Sequence, residues 1–151
     1  MLRPAAITLA MLTTAAAAQE REWTFDTSEE QAYLTFGVPE SEDAGISFWC
    51  TIGTGAIRIF IPESRENLKP GGKAEFAIAV DGKSFLYKAD VMVNEEAGVP
   101  SLEAMAAAGD PAFEALLKAD RFALVIENEE DMFPLAGADF ASLLRACGKS
   151  P

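Results

Sequence analysis

The chain has 151 residues, half of them apolar, with 24 acidic side chains against 12 basic ones, no histidine and a formal net charge of −12. That balance excludes nucleic acid as a partner, because phosphates are neutralised by clustered Lys and Arg, and the apolar fraction is too high for a disordered chain. Without histidine there is no Ser-His-Asp or Cys-His triad, and a catalytic zinc site loses its commonest ligand.

Residues 1–18 have the form of a secretory leader. Arg3 supplies the positive start, Ala5 to Leu12 an apolar stretch, and Ala16-Ala17-Ala18 a small-residue cleavage signal, which places the mature start near Ala18-Gln19. The apolar stretch is too short to span a bilayer, and Gln19 rather than a cysteine follows the cleavage point, so no lipid or membrane anchor is expected. The expectation is a periplasmic or secreted protein with one β-rich domain over residues 19–151. Those 133 residues carry 11 basic and 24 acidic side chains, a net charge of −13.

Along that domain, Trp23 to Phe25 and Tyr33 to Val38 read as strands, the second ended by Pro39 and turning Leu34, Phe36 and Val38 inward. Pro39 to Gly45 is an acidic loop. From Ile46 to Ile52 the alternation puts Ile46, Phe48, Cys50 and Ile52 on one face, and Ser47, Trp49 and Thr51 on the other. Ile57, Ile59 and Ile61 then share a face opposite to Arg58 and Phe60, after a loop at Gly53-Thr54-Gly55-Ala56. Pairing Ile52 with Ile57 would set Cys50 against Ile59 and Trp49 against Phe60. Pro62 to Gly72 is a charged connection.

A second hairpin is written more plainly. Ala74, Phe76, Ile78 and Val80 alternate, and Asp81-Gly82 supplies the two φ > 0 positions of a type I′ turn. Val80 then opposes Lys83, Ile78 opposes Phe85 and Phe76 opposes Tyr87, with the apolar face continuing through Val91 and Val93. Asn94 to Ala108 reads as an Ala-rich crossover. Asp110-Pro111 is a helix start, followed by a stripe of Phe113, Leu116 and Leu117. A last strand pair, Arg121 to Glu127 and Met132 to Leu135, is joined by an acidic loop at Asn128 to Asp131. A closing helix from about Ala138 to Cys147 stops at Gly148 and aligns Phe140, Leu143, Leu144 and Cys147. The fold expected is mainly β: a single antiparallel β-sandwich or flattened barrel of about seven or eight strands, with two short helices.

Cys50 points inward from its strand and Cys147 inward from the closing helix. In an exported chain with two cysteines these pair most simply, giving a Cys50–Cys147 disulfide that pins the helix to the sheet.

Residues with catalytic chemistry are sparse. Glu127, Glu129, Glu130 and Asp131 form the densest carboxylate run, but they lack the order of a calcium loop and suit a solvated turn. Glu29-Glu30 and Glu95-Glu96 are weaker, and a carboxylate-based hydrolase is the least favoured class. No Ser-x-x-Lys motif replaces the absent histidine, and the glycine-bearing turns lack the helix of a phosphate cradle. No catalytic residue, metal or cofactor is therefore expected. The informative feature is aromatic: Tyr33, Trp49 and Phe60 share an outward parity with Arg58, the composition of a recognition surface. Two arrangements are open. The patch is exposed and binds a partner, or a second layer made by Trp23 and Phe25 or by the Phe113 helix covers it.

The ending Phe133-Pro134-Leu135-Ala136-Gly137, followed by Phe140, Leu143, Leu144 and Cys147, resembles the closing strand, Gly step and helix of the invasion-associated locus B family of small exported bacterial proteins. That resemblance implies a β-sandwich body and a non-enzymatic envelope protein of a Gram-negative bacterium. Together these readings predict a soluble periplasmic binding or accessory protein whose partner is a protein. A chain of charge −13 is steered towards a cationic one, such as a basic hydrolase that it inhibits. The alternative is a structural or assembly component of the cell envelope or of a secretion system.

Overall fold

A computed structural model describes residues 20–149; the leader expected at residues 1–18 lies outside them. The first three strands are β1 (Glu22–Thr27), β2 (Gln31–Gly37) and β3 (Ala44–Thr51), followed by β4 (Ala56–Ile61), β5 (Lys73–Val80) and β6 (Lys83–Met92). Then come β7 (Ser101–Ala107), α1 (Pro111–Lys118), β8 (Arg121–Ile126), β9 (Glu129–Pro134) and α2 (Phe140–Cys147). The nine strands form one antiparallel sheet in the order β1-β2-β3-β4-β7-β6-β5-β8-β9, curled into a half-barrel.

The inner face holds the core. Phe48 meets Phe113 of α1 and Phe140 of α2 edge-on, and Trp23 packs against Phe36, Phe48, Phe122 and Phe140. The sheet curls far enough for its two edge strands to meet through side chains. Trp23 Nε1 of β1 donates to the Pro134 carbonyl of β9 at 2.6 Å, and Phe36 packs edge-on against Phe133. Asp110 caps α1 by accepting from the Ala112 N–H, with Pro111 in the first turn where its missing N–H costs nothing. Asp139 does the same for α2 through the Ser142 N–H, and that bond holds its carboxyl below the usual range.

Cys50 and Cys147 are joined, with their Cα atoms 5.7 Å apart and both side chains buried. The loop between β3 and β4 is tied to the same place. Gly53 N–H donates to the Ala146 carbonyl and Gly55 N–H to the Cys147 carbonyl, satisfying groups that a helix C-terminus leaves orphaned. Gly53 and Gly55 both have φ near +80°, which a side chain would strain.

That tether corrects the expected register. Trp49 pairs with Arg58, Phe48 with Ile59 and Ser47 with Phe60, two residues away from the pairing that opposed Ile52 to Ile57. A two-residue shift leaves every side chain on its expected face. It moves the loop to residues 52–55, so Ile52 lies past the end of β3 and is exposed. Val38 likewise falls beyond a bulge at Phe36/Gly37, where a Cβ on Gly37 would lie 2.2 Å from the Asp43 carbonyl oxygen. Val93 lies past the end of β6 and is exposed.

The hairpin of β5 and β6 has the expected register throughout, with Asp81 and Gly82 at positive φ. Two segments differ from expectation. Ser101 to Ala107 is a strand within the supposed crossover, because Leu102, Ala104 and Ala106 turn inward and Glu103 and Met105 outward. Alanine favours helices and disguised that alternation, but opposite Ile59 and Ile57 a small side chain fits. The acidic loop shrinks to a two-residue turn at Glu127 and Asn128, both at positive φ, and Glu129 to Asp131 belong to the edge strand β9. Among the described residues the strands accordingly number nine, against the about seven or eight expected. Leu117 is exposed, so the α1 stripe is Ala112, Phe113 and Leu116.

Candidate functional site

Both helices pack on the inner face, and Trp23 and Phe113 lie there with them. Among the described residues no second layer covers the outer side of β2, β3 and β4, where alternation places the remaining aromatic residues. Tyr33 is 36% exposed, and Trp49, Arg58 and Phe60 are half-buried by their neighbours.

Antiparallel register aligns these side chains in rows across the sheet. One row runs Asp26, Tyr33, Trp49, Arg58 and Met105, one residue from each of β1, β2, β3, β4 and β7. The next runs Thr24, Thr35, Ser47, Phe60 and Glu103. Directly opposed residues on one face touch, and such pairs are the unit of sheet stabilisation. In the first row the Tyr33 and Trp49 rings stack at 5.8 Å with 21° between their planes, and the Arg58 guanidinium carbon lies 5.2 Å from the Trp49 ring centroid. Tryptophan thus has tyrosine on one side and a cation on the other, a favourable arrangement for its quadrupole. In the second row Thr35 and Ser47 hydroxyls share a 3.0 Å hydrogen bond. Arg58 reaches diagonally to Glu103, which joins the two rows, and Tyr33 donates its hydroxyl proton to Gln31.

The structure brings together Tyr33, Trp49 and Arg58, with Phe60 on the adjoining row opposite Ser47 rather than Trp49. Glu103 and Met105 join them from β7, and Met105 is 53% exposed. Reading their segment as a crossover hid both. The signal that would have found them is the alternation Leu102, Glu103, Ala104, Met105, Ala106.

No family model, no curated protein and no solved structure matches this chain. The site must therefore be judged on its own chemistry.

The acidic run takes up a different role. Arg65 Nη2 lies 3.3 Å from Asp131 Oδ2, and its Nε lies 2.8 Å from Glu129 Oε2 without the alignment of a hydrogen bond. Asn67 donates to Glu127 at 3.1 Å. These carboxylates fasten the β4–β5 connection to the edge strand, and their charge discourages further strand pairing. Among the described residues no group of three or more acidic or thiol side chains is arranged to hold a metal, and no helix is long and apolar enough to cross a membrane.

The outer side of β6, β5, β8 and β9 is unlike the aromatic rows. There Ala77, Ala79, Ala123 and Val125 form a low floor, with Leu86 at one side 72% exposed and Met132 at the other 54% exposed.

Proposed function

We propose that this chain is an exported, non-enzymatic binding protein that engages a cationic protein partner through the outer face around Tyr33, Trp49, Arg58 and Phe60. The observation that carries the reading is the half-exposed stack of Tyr33, Trp49 and Arg58 on the face opposite to both helices. Rigid aromatic residues and arginine, set among hydroxyls, are the composition of interaction hot spots. The charge of −13 over residues 19–151 favours encounter with a basic surface, and inhibition of a basic hydrolase would use both features. The leader at residues 1–18 and the Cys50–Cys147 disulfide support export to an oxidising compartment, periplasmic or extracellular.

Titration against lysozyme and a panel of other basic hydrolases tests this. Binding that weakens steeply with salt, and at least about tenfold on Trp49→Ala, is the expected result. Binding indifferent to Trp49→Ala overturns the assignment of the face. The exposed Leu86 and Met132 favour a second reading, a component of an envelope or secretion-system assembly. That reading predicts a stable complex that Leu86→Glu disrupts and Trp49→Ala does not.

A further inference from the structure

The row that carries the binding face is complete at one end and open at the other. On the β4 and β7 side Glu103 holds Arg58, and Arg58 covers Trp49: carboxylate, cation, aromatic ring. On the β1 side Tyr33, whose inner side stacks on Trp49, is paired in register with Asp26: aromatic ring and carboxylate, with no cation between them. Asp26 accepts the Thr27 N–H through Oδ1 and has no ion-pair partner among the described residues; nor has Glu40 nearby. A groove of about 240 Å³ opens at this end, lined by Thr24, Asp26, Tyr33, Thr35, Glu40 and Ser41 among others. That volume falls below the range of sites that engulf a small organic ligand, and suits one long side chain.

We infer that the groove beside Tyr33 receives an arginine side chain of the protein partner, whose guanidinium covers the open side of the Tyr33 ring and pairs with Asp26. The inference rests on the proposed binding face and names what the partner must present there. The occupant follows from charge and shape. Asp26 and Glu40 supply uncompensated negative charge, which excludes an anionic group. The Tyr33 ring offers a flat apolar surface on which a planar cation stacks, and Thr24, Thr35 and Ser41 offer hydroxyl acceptors for its remaining N–H groups. Arginine meets all three demands. Lysine, a compact and strongly hydrated cation with three donors, meets the first and only part of the others. The completed row would run carboxylate, cation, Tyr33, Trp49, cation, carboxylate, with the partner supplying one of the two cations.

The test uses the disulfide-bonded protein and three blocked tripeptides, Gly-Arg-Gly, Gly-Lys-Gly and Gly-citrulline-Gly, titrated while backbone amide resonances are followed by NMR. Citrulline keeps the planar shape of arginine without its charge. The expected result is a shift of amides around Asp26, Tyr33 and Thr35 that saturates with arginine, is weaker with lysine and is absent with citrulline. Asp26→Asn, an exposed and nearly isosteric change, should weaken the arginine peptide about two- to five-fold, the worth of one exposed ion pair. Tyr33→Leu should weaken it by a similar factor through the lost ring. Silence of the groove amides, or equal response to citrulline, overturns the inference. If the hydrolase titration depends on Trp49 and Arg58 but not on Asp26, the binding face stands and the groove assignment falls. If Trp49→Ala leaves hydrolase binding intact while the groove still selects arginine, the face assignment falls instead.

Discussion

Phe48 and Trp49 are consecutive residues of one strand, and they belong to two different regions of the molecule. Phe48 is fully buried between both helices, while Trp49 stands on the outer face between Tyr33 and Arg58. The inner face is close-packed aromatic and aliphatic material, cross-linked by Cys50 and Cys147. The outer face is arranged in rows, with each aromatic ring beside a charge or a hydroxyl. A core residue needs only to be apolar and of the right size, whereas the outer rows depend on which side chain opposes which. The inner face therefore governs stability and, on the proposed function, the outer face governs recognition; perturbing each should show it.

The largest effect is expected at the cross-link. It closes a loop between residues 97 apart in sequence, which the chain-entropy account values at about 4–5 kcal/mol. Its loss also frees the α2 terminus that anchors Gly53 and Gly55. Cys50→Ser/Cys147→Ser, or thorough reduction, should lower the unfolding free energy from urea denaturation by that amount; an unchanged midpoint would show that packing alone holds α2. Phe48→Ala follows, at about 3–5 kcal/mol, because it opens a cavity among Phe113, Phe140 and Trp23. Urea denaturation measures it directly.

How much of this contrast could be read in the sequence differs between the faces for a physical reason. Alternation alone assigns a residue to a face, so most of the inner set and the outward parity of Tyr33, Trp49, Arg58 and Phe60 are legible, whereas Ile52 and Val93, past the strand ends, are exposed and the inward Leu102, Ala104 and Ala106 are hidden. Register is another matter. In the β5–β6 hairpin a two-residue turn fixes it locally, and the pairing of Phe76 with Tyr87 followed from Asp81-Gly82. Between β3 and β4 the loop is set by hydrogen bonds to the far end of the chain, so the pairing of Trp49 with Arg58 rests on contacts that no local pattern contains. The neighbours on β7 were hidden in turn by alanines that mimic a helix. Outside β7 the core is legible because it depends on parity; the rows are not, because they depend on register.

Alkaline titration separates the faces in another way. Tyr87 is buried on the inner side against Phe76, and its hydroxyl donates to Asp110 at 3.2 Å. Burial, then the Asp110 charge, then that hydrogen bond push its pKa well above the usual value of 10.0. A raised folded-state value means that the native protein keeps a proton the unfolded chain has released. Stability from this group is thus full below about pH 10 and falls as pH rises beyond it, by at most about 1.4 kcal/mol per pH unit. Tyr87→Phe should flatten that part of the pH–stability curve, with a pH-independent loss near neutrality from the missing Asp110 hydrogen bond. An identical alkaline slope in both proteins would assign it to other groups.

Trp49→Ala should have the smallest effect on stability and the most specific effect on function. The substitution removes a stacked ring and a cation–π contact at a half-exposed site, together worth about 1 kcal/mol, and opens no cavity beneath it because the inner face is untouched. The expected outcome is a urea midpoint close to that of the parent, set against the several kcal/mol lost at the adjacent Phe48. Partner affinity should respond in the opposite order, because of these two residues it is Trp49 that touches Tyr33 and Arg58. Should Trp49→Ala destabilise the protein as much as Phe48→Ala, the outer row would be a second core, and the division between the faces would fail at the two residues that define it.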